Sequence, residues 1–198
     1  MYKFYMNNKN NNTRYTLIER LQLKYDEPSW EDFTQIYQKY IYGILHRLGV
    51  TAVDSDDVLQ QVLIEIWKGV KKYKRLDNSR FRSWLSTVTR HTVCRHFRQQ
   101  KKLSDIPLLI LQPELSSPEI EQWIEEEWSK FIAARAMEEL KKQFSAAKIN
   151  VFIASSRGFK DEDIAAEKRI ALSSVRVYRS QVQKVLQRVV ARLNRDLD

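Results

Sequence analysis

From Ser29 to Gly49 the apolar residues Trp30, Phe33, Tyr37, Ile41, Ile44, Leu45 and Leu48 recur mainly at three- and four-residue steps. That spacing collects them on one face of an α-helix, and a face so apolar must be covered by other elements. The pattern then repeats along the chain. Ser55-Asp56-Asp57 reads as a helix start, with a capping hydroxyl and acids in the first turn. Behind it Val58, Leu59, Val62, Leu63, Ile66 and Trp67 form an apolar face before Gly69. Phe81, Trp84, Leu85, Val88 and Phe97 mark a third helix to about Arg98, with Trp84 and Leu85 on its core stripe, and Thr13–Leu23 suggests a short helix upstream. With only four glycines and four prolines in 198 residues, little interrupts these helices. The expected fold class is all-α.

In the second half, helices are expected from about Glu119 to Lys142 and from Ala146 to Ser156, where Arg157-Gly158 stops the helix. Lys160–Asp163 heads a short helix (DIAAEK), Arg169 to Leu172 forms a tight turn, and Ser173-Ser174 caps a long helix from Val175 to about Leu193. Two helices joined by such a turn make a helix-turn-helix. On the last helix Val175, Tyr178, Val182, Val185, Val189 and Leu193 share one face, and Arg176, Arg179, Gln183 and Gln187 share another. The first face packs and the second is left for a ligand.

Charge divides the chain. Lys68 to Lys102 carries twelve basic residues against one acid, Asp77. Leu103 to Glu127 carries seven acids and no Lys or Arg, and Lys168 to Arg195 carries eight basic residues and no acid. Pro107, Pro113 and Pro118, among serines and acids, break any helix there. The expected organisation is a polar, disordered tail at 1–12, a helical domain at 13–102, an acidic, Pro-containing linker at 103–118 and a second helical domain at 119–198. Two basic modules on a chain of net charge +9 suit an acidic polymer such as nucleic acid, because neutralising phosphates releases counterions. A solvated basic surface is the plainer reading of the same charge.

No run reaches the roughly 18 to 20 apolar residues a membrane span needs, and Met1–Asn12 has no apolar core of a secretory signal. The expected location is the cytoplasm. A single cysteine, Cys94, forms no internal disulfide. His91 and Cys94 stand three apart near His96, but no fourth ligand at zinc spacing accompanies them, so no metal or other cofactor is expected. There is no Gly-rich phosphate loop, no G-x-S-x-G and no H-E-x-x-H, and catalysis by the chain is not expected.

The segments WEDFTQIYQKYIYGI, DSDDVLQQVLIEIWKGV and FRSWLSTVTRHTVCRHFRQQKK resemble region 2 of sigma-70 family sigma factors of the extracytoplasmic-function class. The stretch from Ala136 to Leu193, above all GFKDEDIAAEKRIALSSVRVYRSQVQKVL, resembles region 4 of the same family. Together the two resemblances span about two thirds of the chain, and their order and spacing are more specific than the helix-turn-helix alone. They imply a sigma factor that binds RNA polymerase core and directs promoter-specific initiation. By resemblance the helix Asp56–Lys68 docks on the coiled coil of the largest polymerase subunit, with Asp57, Gln60, Gln61, Ile64 and Lys68 lying away from its apolar face. The loop 71–80 and the helix after it correspond to the part that opens and reads the minus-10 element, which makes Tyr73, Arg80, Arg82, Arg90, His91, Arg95 and Arg98 the candidate strand contacts.

In region 4 the minus-35 candidates are Ser173, Ser174, Arg176, Val177, Arg179 and Ser180 at the start of the recognition helix. Lys184, Arg188 and Arg192 read more simply as a solvated helix end. The chain departs from the family where His91 replaces an Asn, Arg95 an acid and Arg169 a Gly. Many members are held by an anti-sigma protein, and no residue here identifies one. The linker is expected to let two weak readers share one promoter. Its acids Glu114, Glu119 and Glu121 are candidates for holding the basic modules apart or for mimicking nucleic acid. Two other readings stay open: a helix-turn-helix regulator that never joins the polymerase, and a helical RNA-binding or adaptor protein.

Overall fold

The computed structural model describes residues 17–24, 27–73, 80–100 and 118–198, and these are α-helical with no strand among them. In chain order the helices are α1 (Leu17–Lys24), α2 (Glu27–Arg47), α3 (Ser55–Gly69), α4 (Phe81–Gln99), α5 (Pro118–Gln143), α6 (Ala146–Ser156), α7 (Asp161–Lys168) and α8 (Leu172–Leu197), with a 3₁₀ turn at Val70–Lys72. The expected tail at 1–12 and all but Pro118 of the expected linker lie outside the described residues.

Helix starts differ from expectation in ways local chemistry explains. α2 begins at Glu27, two residues before Ser29, because Pro28 in a first turn has no N–H to lose there. At α3 the cap position is Asp54, not Ser55. The Ser55 hydroxyl donates back to the Thr51 carbonyl at 2.8 Å, and the Thr51 hydroxyl donates to the Asp54 carboxylate at 2.8 Å. At α8, Ala171 is the extended residue and Leu172 is already helical, so Ser173 and Ser174 lie inside the first turn rather than capping it. α8 also runs on to Leu197, since Leu193 and Leu197 extend its buried face.

α2 is the centre of the larger core. Phe33, Tyr37, Tyr40, Ile41, Ile44 and Leu45 are fully buried there. Against it pack Val58, Val62 and Ile66 of α3, Phe81, Leu85 and Val93 of α4, and Leu17 and Leu21 of α1. The same apolar cluster takes in Ile120, Trp123, Ile124, Trp128, Phe131 and Ile132 of α5, and Val189, Leu193 and Leu197 of α8. Helices from both sides of the expected linker thus share one core. Rings tie it together: Tyr40 meets Trp128 edge-on at 5.3 Å and Tyr37 stacks on Phe131 at 6.1 Å.

Two smaller clusters hold the remainder. Leu140, Ile149 and Val182 join α5, α6 and α8, while Val151, Ile164 and Val175 lie under the α7–α8 turn. α6 and α7 end alike. At α6 the N–H of Phe159 reaches the Ala154 carbonyl around a left-handed Gly158 (φ 88°); at α7 the N–H of Ile170 reaches Ala165 around a left-handed Arg169 (φ 53°). Both are helix ends of the type that favours glycine at the left-handed position. The second makes do with arginine. No helix among the described residues is long and apolar enough to cross a membrane.

Candidate polymerase and nucleic-acid interfaces

On α3, Val58, Leu59, Val62 and Ile66 turn inward, so Asp57, Gln60 and Lys68 are exposed, Gln61 is half-buried and Ile64 is 51% exposed. Trp30 crosses Trp67 edge-on at 4.9 Å and stacks on Phe33 at 5.3 Å, fixing the wall of a shallow groove. Trp30, Gln60, Leu63, Ile64 and Trp67 line that groove, whose volume is about 400 Å³. An exposed isoleucine beside an aromatic groove, rimmed by polar side chains, is the surface an amphipathic partner helix needs. Lys68 leans on Glu65 at 3.3 Å, and Glu65 also pairs with Arg95 of α4 at 3.3 Å, so the edge of the α3 face adjoins the exposed face of α4.

α4 separates the minus-10 candidates. His91, Arg95 and Arg98, at steps of four and three, are exposed together on one face. Arg82 and Arg90 fall on the opposite face among Leu85, Ser86, Thr89 and Val93, and are only 5% and 2% exposed. Burial lowers the pKa of the Arg90 guanidinium from its ordinary value. Arg80 precedes the helix with an exposed side chain and pairs with Glu125 of α5 at 2.7 Å. Tyr73 is half-buried, its ring 5.4 Å from Phe81 and 5.1 Å from Trp84, while the Gln22 amide donates to its carbonyl at 2.6 Å. Leu85 is fully buried and Trp84 packs half-buried against the core. Residues 74–79 of the basic loop lie outside the described residues. His91 and Cys94 do not share a site, since His91 is exposed and Cys94 buried.

Arg82 has an unusually complete set of partners. Its guanidinium pairs with Glu125, lies 5.4 Å from the centroid of the Trp128 ring, and donates to the Asp198 carboxylate at 2.5 Å. The Arg82 backbone N–H also donates to Asp198 at 3.3 Å. A carboxylate from α8's end thereby caps the start of α4, a helix with no side-chain cap of its own. Neither acid stood out in the sequence, where Glu125 was one of several spacer acids; the signal was their position opposite a basic block, and that is set by tertiary packing. Glu119 and Glu121 are exposed, and Glu114 lies outside the described residues.

At the start of α8, Ser173, Arg176, Val177 and Ser180 are exposed along one face, with Ser174 and Arg179 half-buried beside them. Val177 presents an apolar surface 49% exposed. Asp161 in the first turn of α7 pairs with Arg179 at 2.5 Å and Arg176 at 3.5 Å, orienting both guanidiniums across the α7–α8 turn. Farther along, Lys184 and Arg188 are exposed, and Arg192 pairs with Glu139 of α5 at 2.5 Å.

Residues 33–103 match the family described as sigma-70 region 2, a span that begins in α2 and runs through α3 and α4. This segment, about a third of the chain, is similar to region 2 of the sigma-70 family. The family is one of transcription initiation factors rather than enzymes, and its members act in promoter recognition and RNA polymerase binding. The exposed α4 face and every residue lining the α3 groove except Trp30 fall inside the matched span. No curated protein matches the chain.

Proposed function

We propose that this protein is a sigma factor of the extracytoplasmic-function class, with a region 2 domain at 13–102, a linker at 103–118 and a region 4 helix-turn-helix domain at 119–198. The carrying observation is that the region 2 match coincides with an exposed, groove-bearing face on α3 and a basic face on α4. In this reading Asp57, Gln60, Gln61, Ile64 and Lys68 meet the coiled coil of the polymerase's largest subunit. Ile64 enters an apolar site on the partner and the polar residues around it set register.

His91, Arg95 and Arg98, with Arg80 and Tyr73, hold the minus-10 strand; Arg82 and Arg90 support it from beneath unless the packing opens. The Arg80–Glu125 and Arg95–Glu65 pairs are exposed, and phosphates can compete with such pairs at little cost. At the minus-35 element the α8 start enters the major groove, with Ser173, Ser174, Arg176, Arg179 and Ser180 reaching bases or phosphates and Val177 a thymine methyl. In this reading the protein works in the cytoplasm; members of the class are often held by an anti-sigma protein, and no residue here identifies one.

The test is runoff transcription with bacterial core polymerase on a pool of genomic promoter fragments, beside a pull-down of core by the tagged chain. Protein-dependent discrete transcripts and core retention are the expected result. DNA binding without core retention or transcripts would replace this reading with that of a stand-alone regulator.

A further inference from the structure

The contacts around Arg82 carry an inference about how the promoter-reading surface is controlled. α5 and the end of α8 pack over α2 and α4 in one apolar core, and they deliver two acids to one basic residue. Hydrogen bonds fasten the end of α8: the Tyr37 hydroxyl to the Leu197 carbonyl at 2.7 Å, the Trp128 indole to Asn194 at 2.8 Å, and the Arg82 guanidinium and backbone N–H to Asp198. Arg82 is thereby 6% exposed at the start of the helix that carries His91, Arg95 and Arg98. A carboxylate bound both to a guanidinium and to a helix-start N–H occupies the place where a phosphate oxygen would make the same two bonds.

We propose that Glu125 and Asp198 form an internal latch that stands in for nucleic-acid phosphate, so that the free protein keeps Arg82 closed and a DNA strand must displace the end of α8 to reach it. This rests on the reading of α4 as a strand-binding helix. The linkage is reciprocal: whatever loosens the end of α8 strengthens strand binding, and a bound strand loosens the end of α8. Because Asp198 directly follows the continuous helix that carries Arg176 and Arg179, the latch couples the two ends proposed to meet DNA.

The experiment uses the full chain without polymerase. Binding of a short fluorescent single-stranded DNA is measured for the wild type, for Glu125→Gln/Asp198→Asn, and for that pair combined with Arg82→Gln. Amide hydrogen exchange at 193–198 in the wild type is followed with and without the same DNA. The expected results are about tenfold tighter binding by the double variant, loss of that gain when Arg82 is removed, and faster exchange at the α8 end when DNA binds the wild type. The exchange measurement needs no substitution, so a variant that folds poorly leaves the test intact. Equal binding by wild type and double variant, with α8 exchange indifferent to DNA, would overturn the latch and leave the strand-binding reading standing. Absence of single-strand binding by every form would overturn that reading and the latch with it.

Discussion

Arg169 offers a measurement that isolates backbone conformation from everything else. It is the left-handed residue at the end of α7, with φ 53° and ψ 47°, and its side chain is exposed. An L-residue pays about 1–2 kcal/mol for that conformation. Glycine avoids the penalty but adds about 0.5–1 kcal/mol of unfolded-chain entropy, and losing the charge at a helix C-terminus costs about 0.3 kcal/mol. Arg169→Gly should therefore stabilise the fold by about 0.5 kcal/mol, or roughly 1–2 °C in a chain of this length. Arg169→Ala removes the same side chain without relieving φ and should be neutral or slightly destabilising. Gly158 is the internal control: it holds the same place at the end of α6 with φ 88°, and an added Cβ would meet nothing within 4 Å. Gly158→Ala should lose about 1 kcal/mol for conformational reasons alone. Urea unfolding of the three variants measures these differences. If Arg169→Gly is no more stable than Arg169→Ala, the left-handed strain is not what limits this turn, and the argument fails.

Other outcomes are as specific. Burial raises the pKa of the Tyr37 phenol well above its ordinary 10.0, so the folded protein keeps a proton that the unfolded chain gives up. Stability should hold through neutral pH and fall above about pH 10, and Tyr37→Phe should flatten that fall when melting is followed against pH. Leu140 is fully buried where α5, α6 and α8 meet, and Leu140→Ala should cost about 2–5 kcal/mol in denaturant unfolding. Ile64→Lys, on a half-exposed site, should change stability by less than about 0.5 kcal/mol yet abolish retention of core polymerase in a pull-down. Arg176→Ala should cost about 1–3 kcal/mol of discrimination between promoter and mutated minus-35 DNA in competition binding.

Periodicity made the helices legible because burial of an apolar stripe is a local property of sequence. α6 falls where it was expected, and of the expected inner faces Val58, Leu59, Val62 and Ile66 of α3 and Val175, Val182, Val189 and Leu193 of α8 are buried, while Leu63, Trp67, Tyr178 and Val185 are half-buried. Starts were less legible: serine competes for several carbonyl and amide partners, and at Ser55 the Thr51 carbonyl won. The exposed candidates were legible where they lay opposite an apolar stripe, as with Gln60, Ile64, Arg176 and Val177. Arg82 and Arg90 were not, because an arginine reads as solvated until a distant acid or an aromatic ring covers it. The acids that cover Arg82 stand 43 and 116 residues away in sequence, beyond any helical or turn period. The region 4 resemblance and the domain division rest on sequence alone.

The helices on either side of residues 101–117 are not independent in the packed arrangement, and α8 is one reason. The helix rises 1.5 Å per residue, so Arg176 and Asp198 lie about 33 Å apart on one rod. Its middle is gripped by Leu140 and Ile149 through Val182, and its far end by Tyr37, Trp128 and Arg82. A rod held at its middle and far end, and at its start by Val175 against Val151 and Ile164, can shift only by bending or by giving up a grip. The middle grip is apolar, while the far one adds hydrogen bonds and charges that phosphate and water can replace. Under the proposed minus-35 role, engagement of DNA by Arg176 and Arg179 should strain the far grip, and release there should uncover Arg82 at the start of α4.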